Sequence, residues 1–209
     1  MGDADFADMA DLAATTVGWE AGVLSKEATE WVLVTEALAA GRLQGFMLST
    51  LERIGGTPAL VIGMASVART DDRAGTVEAL MAENYHKALM AFPDEDVIVA
   101  ARVAGAGPYQ VFAGLTDVRP WPGVRANGEE RAWGRRLSKR YGAVEFDDRA
   151  MVGHSEGEIF VIDHEPTAPC AAQPPAEELV TVDPAAGTHL IAWGWAMAEF
   201  LEGFSEPRS

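Results

Sequence analysis

An α/β fold is predicted, built on a mixed sheet in which an antiparallel meander leads into a βαβ unit, flanked by helices and followed by a C-terminal arm and helix. Three observations carry it. First, apolar and β-branched runs at 31–37 (WVLVTEA), 41–54 (GRLQGFMLSTLERI) and 59–68 (ALVIGMASVA) are separated only by short turns, at Gly41 and at GGTP, which is the pattern of hairpin-linked antiparallel strands. Second, a helical stretch stands between two wholly apolar runs, and a helix joining two buried strands makes a parallel crossover, right-handed by the general rule. Third, from 166 onward the composition shifts to Pro, Ala and acids, as expected of an extended arm.

The elements follow in order. Phe6, Met9, Leu12 and Ala13 recur at helical spacing among Asp3, Asp5, Asp8 and Asp11, so a short amphipathic helix opens the chain. Ser25 is placed to cap a second helix over SKEATEW. Residues 59–68 carry no charge, so this run is the central strand, covered on both faces. Val77, Leu80, Met81, Ala88 and Leu89 form the buried face of the crossover helix, which Pro93 ends after Phe92, and DVIVAARV (96–103) is the next buried strand.

Residues 105–128 are rich in Gly and Pro and read as a long loop. Asn127 with Glu130 then marks a capped helix start, Arg135, Arg136, Lys139 and Arg140 suit its C-terminal end, and Gly142 stops it. AVEFDDRAMV and EIFVIDHE read as a closing hairpin. The division that results is a core domain over 1–165, a Pro-rich linker or arm over 166–183, and a C-terminal apolar helix and tail over 184–209. That last segment starts at Asp183–Pro184 and carries Leu190, Ile191, Trp193, Trp195, Met197, Phe200, Leu201 and Phe204. So much apolar surface must dock on its own domain or on a second copy, giving a possible homodimer.

Composition narrows the partners. With 16 basic and 32 acidic residues the net charge is −16, which repels an extended phosphate backbone, so no nucleic acid is expected, and which suits a cationic substrate such as an amine. No apolar run reaches the roughly 18 residues that span a bilayer, and the N-terminus is acidic, so no membrane association and a cytoplasmic location are expected. The single cysteine, Cys170, allows no intrachain disulfide. Residues 163–165 (Asp-His-Glu) alternate faces if extended and do not converge on an ion; no metal is expected. No G-x-S-x-G elbow, Walker loop or dinucleotide fingerprint occurs.

The stretch SVARTDDRAGTVEALM (66–81) leaves the central strand, turns, and enters the crossover helix. The free N–H groups at Gly75, Thr76 and Val77 would attract an anion, Gly75 offers close approach, and Arg73 a charge-assisted contact. The order of elements over 4–165, with DADFADMADLAA, WVLVTEALAAGRLQGFMLS and this stretch as local matches, resembles the GNAT superfamily of N-acetyltransferases. The resemblance implies an acetyltransferase-type sheet and transfer of an acetyl group from acetyl-CoA, as co-substrate, to a primary amine on a small molecule or a protein lysine. It implies cofactor contacts at Ser66, Val67, Ala68, Arg73, Ala74, Gly75, Thr76 and Val77. The family's loop, Q/R-x-x-G-x-G/A, is met in no register, and Asp71 and Asp72 stand within it. The family's tyrosine acid sits about four residues ahead of a glycine; Ser138 holds that place before Gly142, and Tyr141 is the remaining candidate. Glu36, Glu52 or a water is the candidate base, and Tyr109 and Trp121, with Asp117 beside them, are the candidate substrate pocket. The alternative is a non-catalytic GNAT-fold protein acting through protein contacts.

Overall fold

The computed structural model of the chain describes residues 3–14, 19–157 and 159–206. It is a mixed α/β molecule with a nine-stranded sheet flanked by helices. Helices α1 (Asp3–Ala14) and α2 (Ala21–Glu30) precede the meander β1 (Leu33–Ala39), β2 (Arg42–Ile54) and β3 (Thr57–Val67), all antiparallel. Helix α3 (Arg73–Ala91) leads to β4 (Val97–Val103), parallel to β3. A 3₁₀ turn (Gly107–Phe112), β5 (Thr116–Arg119), α4 (Gly128–Arg140), β6 (Glu145–Asp147), β7 (Val152–His154), β8 (Ile162–Asp163), β9 (Thr188–Ala196) and α5 (Ala198–Glu202) complete it.

The sheet order is β1-β2-β3-β4-β9-β7-β6, with β5 also on β9 and β8 also on β3. Alternate residues of the central strands feed two cores. Leu60, Ile62, Val97, Val99 and Ala101 pack with α3, the 3₁₀ turn and α5. Ala59, Val61, Ile98 and Ala100 pack with α1, α2 and α4. A bulge at Gly63 switches the alternation: Leu48 pairs with Met64 but Ser49 with Ile62, so Met64 rejoins the second core. The Trp31 ring lies on this glycine, and a Cβ there would come within 2.2 Å of it.

Three expectations are corrected. Helix α2 begins at Ala21, with Glu20 at its N-cap, so Ser25 is interior and caps nothing. The hairpin forms between β6 and β7; β8 instead joins β3, 97 residues earlier in sequence for the Ser66–Asp163 pair. Glu158, placed in that hairpin by its sequence, lies outside the described residues. Residues 188–196 are a strand and not a helix, set between β4 and β7. Both its faces are covered: Leu190 and Ala192 enter one core, Ile191 and Trp193 the other. A strand buried on both sides is apolar without alternation, and such a run also satisfies helical spacing. The Asp183–Pro184 start signal is real but opens only a 3₁₀ turn (Pro184–Ala186), which Gly187 ends at φ 81°, with Ser155 O 2.2 Å from where a Cβ would sit. Of the apolar residues that suggested a second copy, Leu190, Ile191 and Trp193 are buried within the chain's own sheet, Leu201 is buried in α5, and Trp195, Phe200 and Phe204 are half-buried against the cores. The preceding arm hugs the core: Leu179 and Val182 pack on it, and Gln173 Nε2 donates to Gly107 O at 3.1 Å. Among the described residues no helix is long and apolar enough to cross a membrane.

Candidate functional site

The site is built where the parallel pair ends. β3 runs beside β4 only from Ala59 to Ile62; beyond that, along the same edge, Ala65 and Ser66 pair with Ile162 and Asp163 of β8. The end of a parallel pair at which a neighbour changes direction is the usual position of a ligand crevice in an open α/β sheet. Here residues 159–165 lie in that crevice. Beside them is a cavity of about 370 Å³, lined among others by Trp19, Arg69, Pro108, Asp163 and His164.

Most groups predicted to hold a cofactor have partners within the chain. Ser66 Oγ donates to Asp163 Oδ2 at 3.1 Å, and Arg69 Nη2 pairs with Asp163 Oδ1 at 2.5 Å. Arg73 donates to three carbonyls: Thr70 O (2.6 Å), Glu165 O (3.0 Å) and Arg69 O (3.3 Å). The Asp72 carboxylate lies over Gly75, its Oδ1 within 2.6 Å of where a Cβ would be, so the space left by the missing side chain is filled. That carboxylate also sits favourably at the positive end of α3. Thr76 donates through Oγ1 to Asp72 O, and its methyl packs beneath Gly45. Val67 and Val77 are core residues. Ala68 N donates to Gln44 O, and Ala74 O accepts from Gln110 Nε2.

The candidate catalytic residues are not brought together. Tyr141 is buried, and its hydroxyl donates to Ile62 O at 2.9 Å. Its ring lies tilted against Trp31 at 5.7 Å with the Arg102 guanidinium over its face at 5.2 Å, and burial drives its pKa upward, so the hydroxyl is sealed in the core away from the crevice. Glu52 pairs with Ala59, eight residues along β3 from Val67 and so about 26 Å from the loop, and its carboxylate accepts from Arg140 Nε at 2.8 Å and Thr50 Oγ1 at 2.7 Å. Glu36 is different. It pairs with Phe46, which pairs with Ser66, and it shares a cleft of about 620 Å³ with Gly75, Glu78, Glu83 and Lys87. The Lys87 ammonium is already committed, to Glu83 at 3.4 Å and Thr35 Oγ1 at 3.0 Å, which leaves the cleft acidic.

Tyr109 and Trp121 do meet, at 6.5 Å between rings. Tyr109 is buried with its hydroxyl donating to Pro120 O, whereas Trp121 lines a separate cavity of about 510 Å³ together with Glu78, Asp117 and Cys170. Asp117 therefore falls beside Trp121 as expected, with φ at 51°.

The residues that sequence reasoning did not select are Arg69, Gln110, Asp163 and His164. His164 is 2% exposed; its Nε2 lies 2.7 Å from Gln110 Oε1, and its Nδ1 has no partner. Burial first, then the charges of Arg69 and Arg73, push its pKa down to about 4, so it is neutral. Nε2–H is then the donor and Nδ1 a bare acceptor. In the sequence, Asp163 and His164 showed only as an acid and a histidine inside a strand-like run that does not converge on an ion and reads equally as a solvated edge.

No family model matches the chain, and no curated protein matches its sequence.

Proposed function

We propose that the chain is an acyl-CoA-dependent N-acetyltransferase of GNAT type, acting on a primary amine of a small molecule or a lysine side chain. The observation that carries this reading is the cleft in which Glu36 faces Gly75 at the start of α3, just beyond the central strand. The order of two helices, a three-strand meander, the loop and crossover helix, a parallel strand and a further helix supports it. The acidic cleft suits a cationic amine, and Glu36 would take the proton an ammonium must lose before its nitrogen can attack an acyl carbon. Tyr141, sealed against Ile62 O, has no part in the chemistry.

In the present arrangement the loop does not fit a pyrophosphate. Asp72 fills the space over Gly75, and Arg69 and Arg73 are held by Asp163 and by carbonyls. That observation favours a second reading, a non-catalytic GNAT-fold protein acting through protein contacts. Thermal denaturation with millimolar acetyl-CoA separates the two. A raised Tm that Gly75→Glu abolishes supports the enzyme; an unchanged Tm overturns it and leaves the second reading, since a ligand that binds the native state must stabilise it.

A further inference from the structure

We infer that the hollow between the first turn of α4 and the strands β5 and β9 is an aromatic cage for a trimethylammonium group, carried by a small molecule or by a modified lysine. The inference goes beyond the acyl-CoA reading and does not rest on it: a quaternary nitrogen has no lone pair to acylate, and the hollow lies apart from the Glu36 cleft.

Three tryptophans build the hollow. Trp193 and Trp195 stand two residues apart on β9 and so share a face, and Trp133 meets them from α4. The Trp133 and Trp195 rings are 5.8 Å apart with their planes at 86°, so two indole walls meet at nearly a right angle. The cavity there holds about 390 Å³ and is rimmed by Asp117, Glu129 and Glu130. Trp133 already draws one cation: the Arg136 guanidinium, which does not line the cavity, lies 4.9 Å from its ring centroid. All three tryptophans belong to the core under α1, α2 and α4, whereas the Glu36 cleft lies against α3.

The charges select the occupant. Arg119 is paired with Glu130 at 2.7 Å, and the first donors of α4 are closed by the Asn127 and Glu130 side chains, so the positive groups at the hollow already have partners. Among the described residues, the exposed Asp117 and Glu129 carboxylates have no ion-pair or hydrogen-bond partner, which leaves the rim negative. Asp117 stands in a bulge: Thr116 pairs with Trp195 and Arg119 with Trp193, so three steps along β5 face two along β9, and Asp117 takes φ 51°. A bulge re-aims the side chains it carries, here bringing an acid to the mouth of the cavity. A primary ammonium is strongly hydrated and must shed that water to reach indole faces; a trimethylammonium sheds little and is attracted by rings and carboxylates together.

The test titrates the full chain calorimetrically with choline, with its uncharged tert-butyl isostere dimethylbutanol, and with an acetylated trimethyllysine amide. At least one of the two cations is expected to bind about tenfold or more tightly than the uncharged isostere, and to weaken as salt is raised. The tighter of the two cations identifies the source of the group, and either order upholds the cage. Trp195→Leu removes a ring while keeping the site apolar, and Asp117→Asn with Glu129→Gln removes the free charges while Asn tolerates the left-handed backbone at 117. Each change is expected to weaken cation binding about tenfold, and the paired change to leave the uncharged isostere unaffected. No binding of either cation at tens of millimolar, equal affinity for cation and isostere, or unchanged cation affinity in a folded variant overturns the cage. Should Trp195→Leu fail to fold, the paired change at the two exposed carboxylates decides by itself.

Discussion

His164 and His189 are buried histidines, one on each side of the sheet's central strands, and both are neutral. Burial is the main cause for each. Arg69 and Arg73 add to it at His164, opposed by Asp163; Arg102 and, more weakly, His154 add to it at His189, where a contact to Gly187 O opposes. Each pKa falls from 6.5 to about 4. Between these values the unfolded chain binds protons that the folded chain refuses, so stability falls as pH drops from 6.5 towards 4 and the histidine contribution is flat below that. The loss across that window is on the order of 3 kcal/mol per histidine. Urea midpoints at neutral and mildly acidic pH measure it, and His164→Gln should remove about half of the difference; an equal midpoint at both pH values would refute the assignment. Residue identity alone gave little warning of these environments. Tyr141 drew notice because it precedes Gly142, yet the direction of its hydroxyl depends on Ile62, which is 79 residues distant. Asp163 and Arg69 are separated by 94 residues, and nothing local marks them as partners.

Local chemistry was a better guide for elements. The start of α4 was legible because its signal is self-contained: Asn127 Oδ1 accepts from Glu129 N and Glu130 N at 2.9 and 3.0 Å, while Glu130 Oε2 accepts from Asn127 N at 2.6 Å. Glu130 also pairs with Arg119 at 2.7 Å, so the cap ties α4 to β5. Asn127→Ala should cost about 1 kcal/mol in urea unfolding, and a loss within error would mean that Glu130 and Arg119 hold the helix start without it. The same locality explains β3, α3 and β4, whose periods agree with their turns. It fails for β9. Residues 188–196 meet helical and buried-strand templates alike, and only pairing with β4 on one edge and with β7 and β5 on the other selects the strand. β8 was read as half of a hairpin because its neighbours in sequence were the obvious partners, whereas its actual partner is β3.

At the scale of the molecule, β9 makes the two halves of the sheet one structure. It supplies Leu190 and Ala192 to one core and Ile191 and Trp193 to the other, so neither core closes without it. A chain ending at Asp183 should therefore lose the cooperative thermal transition and bind a hydrophobic dye; a sharp transition with native-like circular dichroism would contradict this account. Without Glu199, Glu202, Glu206 and Arg208 the truncated chain still carries a net charge of −14, its main protection from self-association through the exposed core, so it should precipitate as salt is raised. The position of β9 also orders events during synthesis. The first four strands and α3 leave the ribosome well before residues 188–196, and until those appear the inner edge of β4 has open backbone groups that any passing strand can pair with. For most of its translation the protein is a half-sheet waiting for its centre, and its hazard in the cell lies in that interval more than in the finished fold.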